Sequence, residues 1–121
     1  MNARVRNHLI SLARKGDSPI PYRRLINQTE LGLNLDIKHE KQLLGEILDE
    51  ISEDEHADKR PLLSALVQDK RNGQGDRFFK LCERLEMGEW KELKKDEDFR
   101  NEQVEKCYAF WQDDKNYKKF F

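Results

Sequence analysis

Cysteine and proline are scarce, with two cysteines and three prolines in 121 residues. Two cysteines cannot supply the disulfide framework of a small secreted domain. Cys82 and Cys107 have the neighbours of apolar helix faces, so the expectation is two buried free thiols in a cytoplasmic chain, and a disulfide finds no support. Neither they nor His8, His39 and His56 fall at zinc-ligand spacing, and no metal or other cofactor is expected. Apolar runs never approach membrane-spanning length, and the N-terminus lacks the hydrophobic region of a signal peptide. Internal repeats and low-complexity linkers are absent too. A chain of this length holds one core, and its mean hydropathy of −1.00 suits thin, strongly solvated helices better than a deep enzyme cleft.

Charge is plentiful and uneven. Charged residues make up 39% of the chain, yet the net charge is only −1. Residues 1–24 carry six Lys or Arg against one acid, residues 25–60 carry four against ten, and the remainder balances at thirteen each. Such a balance argues against indiscriminate nucleic-acid binding, where a strongly basic domain is usual. It leaves room for a basic face backed by an acidic one.

Helical periodicity dominates. Val5, Leu9, Leu12 and Ala13 share one face of a first helix that Gly16 closes. Pro21 suits the start of a second helix, with Tyr22, Leu25 and Ile26 on its buried side. Asp36 is placed to cap a third, whose stripe is Ile37, Leu44, Ile47, Leu48 and Ile51. Gly45 within that stripe implies a close helix–helix approach, and the run Glu53-Asp54-Glu55 is read as its end. Leu62–Val67 reads as a short strand, because Pro61 precedes it and Asn72-Gly73 follows it, although helix also fits so brief a run. Its partner is expected near Ser18–Pro21, around Gln74–Arg77, or on another chain. Asp76 is then positioned to cap a helix bearing Phe78, Phe79, Cys82 and Leu85, which Gly88 closes. After a charged connector at Trp90 and Leu93, Val104, Cys107, Tyr108 and Trp111 mark a last helix.

Three helices, a strand and a glycine-bearing turn follow the order of a winged helix-turn-helix. The fold class is therefore read as mainly α with a small β element: a winged-helix-like domain over residues 1–88, with a C-terminal helical extension over 89–121 packed on it. In that geometry the start of the third helix meets the major groove and the wing meets phosphate. The residues so placed are Lys38, His39, Lys41 and Gln42, with Lys70, Arg71, Asn72, Gln74 and Arg77 on the turn. Arg4, Arg6, Arg23 and Arg24 would add backbone contacts, with Arg14 a further candidate, and the partner would be double-stranded DNA. The acids Glu40, Glu46, Asp49, Glu50 and Glu53 weigh against this reading wherever they face a duplex.

Tyr22-Arg-Arg-Leu25, Leu44-Gly45 and the segment Pro61 to Phe79 resemble the winged-helix domain of the DNA alkyltransferase and alkyltransferase-like families, across roughly half the chain. The segment also resembles bacterial winged-helix-like proteins that carry no activity to transfer. The alkyltransferase Pro-Cys-His-Arg motif is replaced by Arg60-Pro61-Leu62-Leu63-Ser64, so the resemblance implies a fold and no alkyl transfer. Cys82, on a helix after the turn, does not stand in for that nucleophile.

Other constellations fall short of chemistry. Gly73-Gln74-Gly75 precedes a helix, yet no Lys-Ser or Lys-Thr follows and Asp76 would occupy the phosphate's place. Asp58, Gln68 and Lys70 lack the second acid of a nuclease site, since Asp69 would point to the other strand face. Glu46, Asp49, Glu50 and Glu53 read as a solvated face. The chain is therefore taken as a non-enzymatic binding domain. The rival to DNA binding is a protein-interaction or oligomerisation module, using the acidic third helix or the aromatic C-terminus of Tyr117, Phe120 and Phe121.

Overall fold

The computed structural model describes residues 1–69 and 73–121. Among them are seven α-helices: α1 (Ala3–Lys15), α2 (Tyr22–Thr29), α3 (Lys38–Ala57), α4 (Asp76–Arg84), α5 (Trp90–Lys95), α6 (Glu97–Trp111) and α7 (Asp114–Phe120). A 3-10 turn at Leu63–Leu66 lies between α3 and α4. No helix of the described residues is long and apolar enough to cross a membrane.

The 3-10 turn sits at the centre, packed against α1, α3 and α6. This corrects the strand expected over Leu62–Val67. Every residue from Leu62 to Val67 is buried, with no alternation between an inner and an outer face. A strand would need cover on both faces, whereas a tight helical turn ringed by three helices buries consecutive side chains. Among the described residues the β element shrinks to two isolated bridges. Ile20 pairs in parallel with Val67, through Ile20 N–H to Leu66 O and Gln68 N–H to Ile20 O, both 2.9 Å. Asp69 pairs with Gly73 in an antiparallel bridge. The expected partner near Ser18–Pro21 is thus present, as a single bridge.

Several termini follow the local chemistry and several do not. Asn2 Oδ1 accepts from Val5 N–H at 3.0 Å to cap α1, and Gly16, at φ 70°, closes it. Asp36 does not cap α3: Ile37 is the cap residue, and Asp36 pairs with Arg23 at 3.4 Å. Asp76 is the first residue of α4 rather than its cap, and its carboxylate meets Lys94. The charged connector is itself helical, as α5. The acidic run does not end α3 either. The helix continues to Ala57 because Glu55 falls on the buried stripe of Leu44, Leu48 and Ile51, where Arg6 and Arg60 neutralise it.

Gly45 is explained by a side chain rather than by two backbones in contact. A Cβ there would lie 2.6 Å from Nε of Arg77, which crosses this point to reach Asp49. On the core side of α3, Ser52 Oγ accepts from Ser64 N–H at 3.0 Å and shares a 2.7 Å hydrogen bond with the Ser64 hydroxyl. Both serines are buried. Ser52→Ala is expected to cost about 1–3 kcal/mol, because a buried N–H and a hydroxyl lose their partner together. Urea denaturation of the variant checks this, and a loss within error of zero would mean that the 3-10 turn is held by packing alone.

Candidate nucleic-acid interface

Several basic residues that the sequence singled out are exposed on α2 and on the first turns of α3, and the Arg23–Asp36 pair links α2 to the segment just before α3. Arg23 and Arg24 are exposed on α2, and Lys38, His39, Lys41 and Gln42 are exposed on α3. Ile37, the cap residue of α3, makes no side-chain cap hydrogen bond, so the positive end of the longest described helix lies at Lys38 and His39. Acids temper the patch: Arg23 pairs with Asp36, and Glu40 accepts from Asn34 N–H at 3.3 Å. Arg4 is exposed as well and reaches Glu30 at 3.9 Å.

Arg77 joins the same helix from α4. Lys38, Lys41, Gly45 and Asp49 recur at three- and four-residue intervals along one line of α3. Arg77 lies over the Gly45 end of that line, its Nε 3.0 Å from Asp49 Oδ2. Arg84 reaches the same oxygen at 3.4 Å and Glu53 at 3.1 Å. Burial pushes the Asp49 carboxyl above its ordinary range, and the two guanidiniums oppose that shift. Asp49 and Glu53, counted against a duplex in the sequence, are therefore neutralised within the fold.

Other residues of the set are placed elsewhere. Arg6 is 7% exposed. Its guanidinium contacts Glu55, donates to Phe120 O at 2.8 Å and lies 5.5 Å from the centre of the Trp111 ring, so none of it is free for phosphate. Gln74 is buried, donating to Ala65 O and Arg100 O at 3.4 and 3.3 Å. Arg14 pairs with Asp114 at 2.9 Å and covers the Tyr117 ring. Lys70, Arg71 and Asn72 lie outside the described residues.

Of the aromatic C-terminal residues, Tyr117 and Phe120 are half-buried and Phe121 is exposed. Tyr117 stacks on Phe121 at 4.7 Å, and Phe120 rests on Phe110 at 5.7 Å. Both cysteines are buried as free thiols, and burial pushes each up to about 12. Among the described residues, no three His, Cys, Asp or Glu side chains gather as metal ligands.

Sequence reasoning missed the Arg6–Glu55–Arg60 cluster. The available signal was spacing: Leu44, Leu48, Ile51 and Glu55 continue one helical stripe, and a carboxylate on a core stripe demands a buried cation. Comparison with protein-family models, with curated proteins and with solved structures yields no match to this chain.

Proposed function

We propose that the chain is a non-enzymatic, winged-helix-like binding domain that contacts duplex nucleic acid through the start of α3 and the turn that follows Val67. The observation that carries the reading is the run of exposed Lys38, His39, Lys41 and Gln42 on the first turns of α3, with Arg23 and Arg24 exposed on α2 and Arg23 tied to Asp36 just before that helix. Two features support the winged-helix order. The segment between α1 and α2 pairs with the segment after α3, and Asp69 is bridged antiparallel to Gly73, as at the base of a much-reduced wing. Pairing of Asp49 with Arg77 and Arg84 lowers the repulsion a phosphate backbone would meet along α3.

Titration of a labelled mixed-sequence duplex at low and at moderate salt tests this reading. The wild-type chain is expected to bind, with affinity falling as salt rises. Lys38→Glu combined with Lys41→Glu is expected to weaken binding at least about tenfold and to flatten the salt slope by about two, one for each lost phosphate contact. Absence of binding at low salt, or an unchanged slope in the double variant, would remove the proposal. A second reading rests on Phe121, a large aromatic side chain 48% exposed on a polar surface: contact with a partner or a second copy through the C-terminal aromatics. Sedimentation equilibrium of the wild type and of Phe121→Ser separates the two.

A further inference from the structure

Glycine stands at position 45 in the interior of α3, where alanine would favour the helix. Its backbone is not left-handed, so conformation alone does not require a glycine there. The space does. The three atoms nearest to a Cβ built at position 45 all belong to Arg77: Nε at 2.6 Å, Cδ at 2.7 Å and Cζ at 2.9 Å. They form the far end of a flexible side chain, so an added methyl group would displace Arg77 and leave the helix intact. The missing side chain thus makes room for one arginine.

That arginine is tied down at one atom only. Its Nε donates to Asp49 Oδ2 at 3.0 Å, one turn further along α3. A guanidinium carries five N–H donors. The four on Nη1 and Nη2 meet no acceptor among the described residues. Asp49 is the recessed member of the pair, with a side chain 12% exposed against 46% for Arg77. Arg84 also reaches Asp49 Oδ2, at 3.4 Å, so the buried carboxylate keeps a second counter-charge when the outer edge of Arg77 is engaged.

We propose that Gly45 and Asp49 form a seat that aims Arg77 at a phosphate of the bound duplex. Arg77 is then a phosphate contact, and Gly45 and Asp49 are positioning residues. The inference rests on the reading of the α3 surface as a duplex-binding face. With Nε held by Asp49, the two Nη groups present the planar fork that grips a phosphate bidentately. Lys41 and Gly45 are separated by about 6 Å of helix rise. One strand places a phosphate about every 3.4 Å along the duplex axis, so a backbone that meets Lys38 and Lys41 also reaches Arg77. The consequence for Asp49 runs against its charge: an acid on the binding face strengthens binding.

The test is titration of the labelled mixed-sequence duplex with variants of the full chain, each also followed by urea denaturation. Arg77→Ala is expected to weaken binding about tenfold and to lower the salt slope by about one. Gly45→Ala should be at least as stable as the wild type and still bind at least about threefold more weakly. Asp49→Ala should also weaken binding, although it removes a negative charge. Asp49→Asn keeps an acceptor oxygen for Nε and should bind at least as well as the wild type. In an Arg77→Ala background, neither Gly45→Ala nor Asp49→Ala should weaken binding further, which a general structural role would not predict. Unchanged binding by Gly45→Ala, tighter binding by Asp49→Ala, or losses that persist without Arg77 would each overturn the inference. If Lys38→Glu with Lys41→Glu lowers binding while these variants do not, the seat alone is refuted; if the wild type binds no duplex, the reading beneath it falls and the seat with it.

Discussion

Glu55→Ala is expected to destabilise the fold by about 3–5 kcal/mol, the usual consequence of removing one partner from a buried ion cluster. The carboxylate is wholly buried and bridges Arg6 on α1 to Arg60 beyond the end of α3. Without it, two guanidiniums are left with no buried counter-charge between them. Arg6 would keep its bond to Phe120 O, and Arg60 its half-exposed contact with Asp58, but neither replaces a buried carboxylate. Since single domains are stable by only about 5–15 kcal/mol, the variant should show a large fall in its urea midpoint or fail to fold near body temperature. A companion variant separates charge from packing. Arg6→Met, Glu55→Leu and Arg60→Met together remove the charges while retaining volume, and this combination is expected to recover most of the loss. Equal instability in both would show that shape, not charge, is what Glu55 supplies.

Stability should also fall steeply in alkali. Burial pushes the thiols of Cys82 and Cys107 up to about 12, and Cys107 Sγ donates to Leu62 O at 3.3 Å. An unfolded thiol ionises near 8.5–9, so above that value the unfolded chain sheds protons that the folded chain keeps. The folded pKa is raised, so the contribution is intact below about pH 9 and is lost as pH rises toward 12. The slope is at most about 1.4 kcal/mol per pH unit for each thiol. Tyr22, raised chiefly by burial, steepens the same limb at higher pH. Urea midpoints measured from pH 8 to 10.5 for the wild type and for Cys82→Ala with Cys107→Ala check this, and the double variant should show the shallower decline. The folded thiols should also react roughly a thousandfold more slowly with a chromogenic disulfide reagent than free cysteine does. Rapid modification of the native chain would contradict both expectations.

Much of the helical frame was legible because each stretch obeys a local rule. The stripe Val5, Leu9, Leu12 and Ala13 with Gly16 behind it gives α1, and Val104, Cys107 and Trp111 give the buried face of α6. Leu62–Val67 was misread because its burial comes from three separate helices, none of which a local window contains. The same cause hid Glu55 and Gln74. An acid in an acidic run and a glutamine in a turn look solvated until Arg6, from 49 residues earlier, or the carbonyl of Arg100, from 26 residues later, arrives beside them. The basic residues around α3 were visible as a set because they cluster in sequence. A groove lined by Ala57, Pro61, Leu62, Met87 and Phe110 was not, since its walls come from α3, the segment after it, the segment after α4, and α6.

The central position of the 3-10 turn bears on how the chain acquires its structure during synthesis. Leu63–Leu66 rests on α1, which precedes it by some fifty residues, and on α6, which begins at Glu97. A nascent chain that has released only its first two thirds holds helices α1 to α4 with one flank of their shared apolar centre open to water. Ribosomes add about 5–20 residues per second, so that flank is exposed for seconds before α6 emerges to cover it. During this interval the apolar side chains of the turn are accessible to chaperones, and truncation ahead of α6 would leave that vulnerable intermediate as the end product.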